Sequence, residues 1–202
     1  MPAKTAHAGL YSQKRLRALC AQPFFYGPVL FEPSTLGHAH GAHDMPKQLQ
    51  FWLMKSEPDE VSIDDVLAAA KKTVPWFGVR NYQARNFMRD TMQPGDLAFF
   101  YHSSCAEPGI AGIVEIASPA YPDATQFDPA SVYFDPKATQ QQPRWSSVDV
   151  KAVRKTRLLS LKALRTYAAL EGMQLLAKGS RLSIMPVEAA QWRFIDKLLA
   201  AG

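Results

Sequence analysis

Cysteine is scarce in this chain of 202 residues, which has only Cys20 and Cys105. Two cysteines are too few for a disulfide scaffold or a cysteine-rich zinc site. Two reduced thiols are typical of a cytosolic protein. We therefore expect a cytoplasmic protein without structural disulfides or a bound metal.

Long apolar runs and internal repeats are also missing. No run approaches the ~18 residues that a spanning helix needs, so a membrane partner is not expected. The absence of a repeat excludes a solenoid. Lys plus Arg number 23 against 18 for Asp plus Glu, a net charge of +5 that suits an anionic partner without requiring one.

Patterns typical of catalysis are lacking as well. There is no glycine-rich phosphate loop, and no spacing of carboxylates marks an acid–base pair. His102 and Cys105 could form a nucleophile pair at a strand end, but no third residue is in place to orient them. The residues therefore predict no enzyme and no cofactor.

Residues 1–45 differ in composition from the rest, with Gly, Pro, Ala and His in no fixed period. We expect a poorly ordered extension, followed by one domain over residues 46–202. Met45 directly precedes the first patterned segment, so the extension could be an artefact of the assigned start. Two alternatives are a targeting peptide and a loose metal site, suggested by Lys14, Arg15 and Arg17 and by His38, His40 and His43.

Residues 46–202 predict short strands and helices in mixed order. Apolar or alternating runs predict strands at 51–54, 97–101, 109–116 and 145–153, the middle two paired. Caps and helical spacing predict helices after Ser62, over 82–92, over 160–170 and from about Pro186. Strands without regular helical crossovers indicate an α+β fold with a small barrel rather than a doubly wound sheet.

The segment from Trp76 to Arg89 combines aromatic, amide and guanidinium groups beside a predicted helix start at Asn81. Arg80 and Arg85 can each hold a phosphate with two hydrogen bonds. Free backbone N–H groups at a helix start also attract phosphate. The segment therefore suits nucleic acid, although a capped surface helix with an apolar core side would explain it too.

Other side chains of the same segment can contact a base. Amides offer a base edge both a donor and an acceptor, and those present are Asn81, Gln83 and Asn86. Trp76 and Tyr82 can stack on a base. Pro75 and Gly78 on either side of Trp76 predict that it lies in a loop, so we expect its replacement by alanine to weaken ligand binding more than folding. Stacking returns roughly 1–3 kcal/mol per base, against a few kcal/mol for removing a base from its stack.

Several ordered motifs resemble the EVE domain family, over about residues 50–199. They are residues 51–58 (FWLMKSEP), 78–86 (GVRNYQARN), 95–103 (GDLAFFYHS), 107–110 (EPGI), 143–145 (PRW) and 181–186 (RLSIMP). The resemblance implies a PUA-like α+β fold, which is a small, partly open β-barrel flanked by α-helices, and kinship with YTH and ASCH domains. It also implies recognition of a modified base, with cytosine derivatives in DNA favoured.

Carried over to this chain, the resemblance implies a pocket formed by several segments. Phe77 stands where the family often has an acidic residue, and Phe51 where Tyr is common. The implied ligand-binding residues are Lys55, Ser56, Glu57, Trp76, Val79, Arg80, Asn81, Tyr82, Gln83, Arg85, Asn86, Tyr101, His102, Ser103, Arg181 and Ser183.

The sequence thus predicts a non-catalytic domain that binds DNA or RNA carrying a modified base. One alternative is a nucleotide or RNA hydrolase on the same barrel, using Lys55, Glu57 or Tyr82. Another is a sensor of a free nucleoside or a similar small molecule. Which base, which modification and which oligomeric state apply stay open.

Overall fold

A computed structural model describes residues 49–201, and the expectations for residues 1–45 lie outside that range. Its seven strands form a sheet in the order β2–β6–β4–β3–β1–β7, with β5 paired to the start of β6. The strands are β1 (Phe51–Ser56), β2 (Thr73–Trp76), β3 (Leu97–His102), β4 (Gly109–Ile116), β5 (Tyr121–Pro122), β6 (Ser146–Ser160) and β7 (Ile184–Pro186).

The central strands are nearly continuous apolar runs, as expected for strands covered on both faces. β1 and β3 run parallel, with Ser56 opposite His102, so their carboxyl ends meet at one edge of the sheet. β3, β4 and β6 are antiparallel, which confirms the predicted pairing of 97–101 with 109–116. Register shifts within these pairs bend the sheet into a partly open barrel.

In the described part of the chain, four α-helices flank the sheet: α1 (Ile63–Ala68), α2 (Tyr82–Asn86), α3 (Leu161–Leu164) and α4 (Ala189–Ala200). Ser62 caps α1 in a capping box with Asp65, as the sequence predicted. Asn81 caps α2, since its side chain accepts from the N–H of Ala84 at 3.0 Å. A π-helical turn over Phe87–Thr91 follows α2, so the segment predicted as one helix has two geometries.

Three predicted elements have different bounds in the structure. The strand predicted at 145–153 extends to Ser160, because β4 pairs with residues 150–160 of β6. The helix predicted over 160–170 is only the single turn α3, followed by a short 3₁₀ turn. The last helix begins at Ala189 rather than near Pro186, because residues 184–186 pair with β1.

The core lies on both faces of the central strands, and α4 covers one of them. Phe99 stacks on Trp192 with ring centroids 4.0 Å apart. Trp52 is buried, and its indole N–H donates to Asp96 at 3.1 Å, which satisfies both buried polar groups. Among residues 49–201, no helix is long and apolar enough to cross a membrane.

Candidate functional site

A cavity of about 510 Å³ opens at the edge where β1 and β3 end. This volume lies within the usual range for small-ligand sites. Side chains reach it from the ends of β1, β2 and β3, from an irregular segment over 118–145, and from the chain before β7. Those used below are Lys55, Glu57, Glu60, Trp76, Phe77, Gly78, Arg80, Tyr133, Arg181 and Ser183.

Lys55 is the cation at the end of β1. Its backbone N–H donates to the carbonyl of Ser183 at 2.8 Å, which joins β1 to the chain before β7. Within residues 49–201 its ammonium group forms no ion pair. Burial lowers the pKa of Lys55 below its ordinary value. A half-buried ammonium without an acidic partner is a donor available to a ligand.

The turn after β1 is held by the Ser56 hydroxyl, which donates to the carbonyl of Val61 at 2.8 Å. The carbonyl of Ser56 accepts from the N–H of Ser103 at 2.8 Å, which ties the ends of β1 and β3 together. This turn carries Glu57 and Glu60, and both line the cavity. Ser56 and Ser103 therefore also hold the cavity rim in place.

Tyr133 forms a wall that faces this turn. Its hydroxyl donates to the carboxylate of Glu60, and its ring meets Phe77 edge-on at 6.0 Å between centroids. Gly78 has φ +79°, and a Cβ there would lie 2.7 Å from the Tyr133 ring. Only glycine fits this conformation and this close approach.

Arg80 joins the loop after β2 to the segment that carries Tyr133. It forms an ion pair of 2.7 Å with the buried Asp123, and it donates to Thr125 at 3.0 Å and to the Tyr133 carbonyl at 2.9 Å. The guanidinium is thus held by protein acceptors. This corrects the expectation that Arg80 contacts phosphate, because its donors already fix the cavity wall.

Trp76 also needs a correction. The neighbouring Pro75 and Gly78 suggested a loop, whereas Trp76 is the last residue of β2. It is 6% exposed and meets Phe100 edge-on at 5.4 Å. Trp76 lines the cavity and also belongs to the core, so replacing it with alanine is expected to destabilise the fold.

A second surface, the arginine–aromatic cluster, is formed by Tyr82, Arg85, Arg144 and Trp145. Tyr82 is half exposed and stacks on Trp145 with centroids 4.9 Å apart. The Arg85 guanidinium lies 4.8 Å from the Tyr82 ring centre and donates to the Arg144 carbonyl at 2.8 Å. Within residues 49–201, Arg85 has no carboxylate partner in an ion pair. Burial, then the positive charges of Arg89 and Arg144, lower the pKa of Arg85.

The cavity brings together ten of the residues expected to bind ligand: Lys55, Ser56, Glu57, Trp76, Val79, Arg80, Asn81, Ser103, Arg181 and Ser183. Tyr82 and Arg85 lie in the arginine–aromatic cluster instead, while Gln83 and Asn86 share α2 with them. A ligand contact by these four residues stays a prediction.

Tyr101 and His102 lie on β3 and do not line this cavity. Tyr101 is 3% exposed, and burial raises its pKa. His102 Nε2 accepts from the N–H of Ile63 at 3.2 Å, at the start of α1, and burial lowers the His102 pKa. His102 therefore has a structural contact that its sequence position did not reveal.

Glu60, Asp123 and Tyr133 were not identified from the sequence as site residues. Asp123 and Tyr133 belong to an irregular segment that has no periodicity to indicate a face. Glu60 lies 73 residues before its partner Tyr133. Among residues 49–201, no cluster of three or more His, Cys, Asp or Glu side chains could hold a metal.

Comparison with protein families gives one match, to the EVE domain over residues 50–198. Human thymocyte nuclear protein 1 is 44% identical over 165 residues, which cover 73% of this chain and 72% of that protein. A crystal structure of a Pseudomonas putida protein is 53% identical with a TM-score of 0.70, covering 73% of this chain and 98% of that one.

A structure of human THYN1 protein in complex with 5-methylcytosine-containing DNA is also similar to this chain. It has 43% identity and a TM-score of 0.70, and the match covers 74% of this chain and 96% of that chain. All residues that line the cavity lie within residues 50–198, the range that matches the EVE domain.

Proposed function

The chain belongs to the EVE domain family, and from this premise we propose that it is a non-catalytic reader of a modified base in nucleic acid. Methylated cytosine in DNA is the favoured target. The observation that carries the proposal is the cavity at the joined ends of β1 and β3. Lys55, which forms no ion pair with any residue of 49–201, lies at its edge. The human relative bound to 5-methylcytosine-containing DNA supports the choice of ligand.

The cavity's lining suits a base removed from its stack. Unstacking costs a few kcal/mol, and contact with aromatic rings returns roughly 1–3 kcal/mol per base. Trp76, Phe77 and Tyr133 provide aromatic surface, while Lys55 and Glu60 provide a donor and an acceptor. A base inserted here would leave the rest of the strand outside the cavity.

The arginine–aromatic cluster supports a contact with that strand. Asn81 lines the cavity, and Tyr82 and Arg85 follow it directly on α2. A guanidinium without a carboxylate partner binds phosphate well, and such contacts are insensitive to sequence. We therefore assign backbone binding to Arg85, which donates to the exposed Asn86 side chain and to the Arg144 carbonyl. Arg80 is instead held by the buried carboxylate of Asp123 and by the Tyr133 carbonyl.

Binding by fluorescence anisotropy tests the proposal. The probes are two DNA duplexes that differ only in one central cytosine, methylated in one of them. We expect the methylated duplex to bind roughly tenfold more tightly, since one methyl group in a tight pocket is worth about 1–3 kcal/mol. Lys55→Met should weaken this binding, whereas Lys162→Met, an exposed control on α3, should not. Equal affinity for both duplexes would contradict the proposal.

Two alternative functions, a hydrolase and a nucleoside sensor, would give different results in related assays. A hydrolase would use Lys55, Glu57 or Tyr82, but only the first two line the cavity. Release of product from a nucleotide or RNA would support that activity against the proposal. A nucleoside sensor would bind the free nucleoside at least as tightly as the duplex.

A further inference from the structure

Two carboxylates, Glu57 and Glu60, line a cavity that we assign to an anionic polymer. A carboxylate repels nearby phosphate groups, so it does not contribute to backbone binding. Its favourable use in such a site is to accept hydrogen bonds from the ligand. The part of a nucleic acid that offers N–H donors is the base edge. The carboxylates therefore point to a base that presents an N–H donor to them.

Glu60 is the carboxylate that the structure holds in position. The Tyr133 hydroxyl donates to Glu60 Oε1, and burial together with this hydrogen bond raises the pKa of Tyr133. The Tyr133 backbone is fixed by Arg80 at 2.9 Å, and its ring rests against Gly78. A carboxylate has about four lone-pair positions. Glu60 can therefore accept from Tyr133 and from a ligand together.

Resting on the proposed function, we propose that Glu60 selects an aminopyrimidine by accepting from the exocyclic amino group of cytosine, while Lys55 donates to an acceptor on the same base. Cytosine presents an N4 amino donor where thymine presents the O4 carbonyl. With thymine in the cavity, an acceptor would face the Glu60 carboxylate. The half-buried carboxylate would then receive no hydrogen bond from the base, and thymine would be rejected.

Shape alone cannot make this distinction. 5-Methylcytosine and thymine carry the same methyl group at the same ring position, so a methyl pocket accepts both. A site built to hydrogen-bond one group rejects an analogue that lacks it much more strongly than an apolar pocket rejects a size change. Glu60 supplies that group, and the methyl pocket supplies the preference over unmodified cytosine.

The test compares 5-methylcytosine, cytosine and thymine in otherwise identical DNA duplexes. Each target base is placed opposite an abasic site, so that no base pair holds it and the opening cost is alike. Affinity is measured by anisotropy for the full chain and for Glu60→Gln. The matched control is Asp59→Asn, which changes the same charge on the same turn at an exposed residue outside the cavity lining.

We expect the unaltered protein to bind 5-methylcytosine at least tenfold more tightly than thymine, a discrimination of about 1.4 kcal/mol. Glu60→Gln should reduce this ratio to about twofold or less, because an amide can turn its N–H₂ group toward a carbonyl. Asp59→Asn should keep the ratio. Equal binding of 5-methylcytosine and thymine, or an unchanged ratio in Glu60→Gln, would overturn the role of Glu60.

Tyr133→Phe keeps the wall and removes only the hydroxyl that orients Glu60, so it serves if Glu60→Gln fails to fold. We expect it to lower the ratio about threefold or more, by roughly 0.7 kcal/mol, and an unchanged ratio would again overturn the inference. Failure of the proposed function has a different signature, since 5-methylcytosine and cytosine would then bind equally whatever the result with thymine.

Discussion

Arg80 Nη1 donates to Asp123 Oδ2 at 2.7 Å, and this ion pair connects the loop after β2 to the segment that carries Tyr133. Asp123 is 1% exposed and also accepts from the N–H groups of Gly78 at 3.0 Å and Thr125 at 2.8 Å. One carboxylate therefore holds two sides of the cavity together. Its removal should affect both folding and binding.

Asp123→Asn tests this role. The amide cannot accept from all the donors that the carboxylate serves, and Arg80 loses its counter-ion. We expect the free energy of unfolding to fall by about 3 kcal/mol in urea titrations, with weaker duplex binding. Asp128→Asn, an exposed control in the same segment, should change it by less than about 0.5 kcal/mol. Similar stability for both variants would show that the ion pair contributes little.

Gly78→Ala tests the close approach to Tyr133. The added methyl group would lie 2.7 Å from the Tyr133 ring, and alanine would have to adopt the backbone φ of +79° that Gly78 has. Gly95→Ala is the matched control, because Gly95 has φ +93° with open space around its Cβ position. We expect Gly78→Ala to lose about 1–3 kcal/mol more than the control, the usual cost of overpacking. Equal losses would mean that the ring moves away freely.

His102 predicts a pH dependence of stability. Burial lowers its pKa in the folded state, so the unfolded chain binds the proton first as the pH falls. Protonation also removes the acceptor for the Ile63 N–H. The stability that neutral His102 contributes should be present above about pH 6.5 and lost as the pH falls below it.

The measurement is the difference in unfolding free energy between pH 8 and pH 5, for the unaltered chain and for His102→Gln. Glutamine keeps an acceptor and does not titrate. We expect the unaltered chain to lose about 1 kcal/mol more than the variant across this range, the value of one hydrogen bond. Parallel pH profiles would refute the titration of His102 as the cause.

Arg85→Ala separates phosphate contact from base contact. Loss of one phosphate contact should weaken methylated and unmethylated duplexes alike and reduce the salt slope by about one unit. A base contact would instead reduce discrimination and leave the salt slope unchanged. Arg165→Ala, an exposed control at the end of α3, should alter neither quantity. Unchanged affinity in Arg85→Ala would remove α2 from the nucleic-acid surface.

Local signals predicted the elements whose contacts are local. The Ser62 capping box and the apolar runs of β3 and β4 are found where the sequence placed them. Trp76 was assigned to a loop because Pro75 precedes it. However, β2 is an edge strand, where a proline is tolerated because its missing N–H is not needed to pair two central strands.

Contacts between distant residues were the part that the sequence could not predict. Residues 184–186 resemble a helix entry, yet they pair with β1, which lies 130 to 134 positions earlier. Nothing in the sequence indicates that Arg80 forms an ion pair with Asp123, 43 residues away, and a phosphate contact was therefore expected. The resemblance implied several cavity-lining residues at the ends of β1 and β2, whereas Tyr133 and Glu60 emerge only from the folded arrangement.

The central claim is that the cavity beside Lys55 receives the modified base. The most direct measurement is an isotope-edited NOE experiment on the complex with a duplex whose single 5-methylcytosine carries a carbon-13 methyl group. If the cavity receives the modified base, that methyl group should show NOEs to ring protons of Trp76, Phe77 or Tyr133. NOEs only to Tyr82 and Trp145, or a methyl group that keeps its contacts with neighbouring stacked bases, would contradict it.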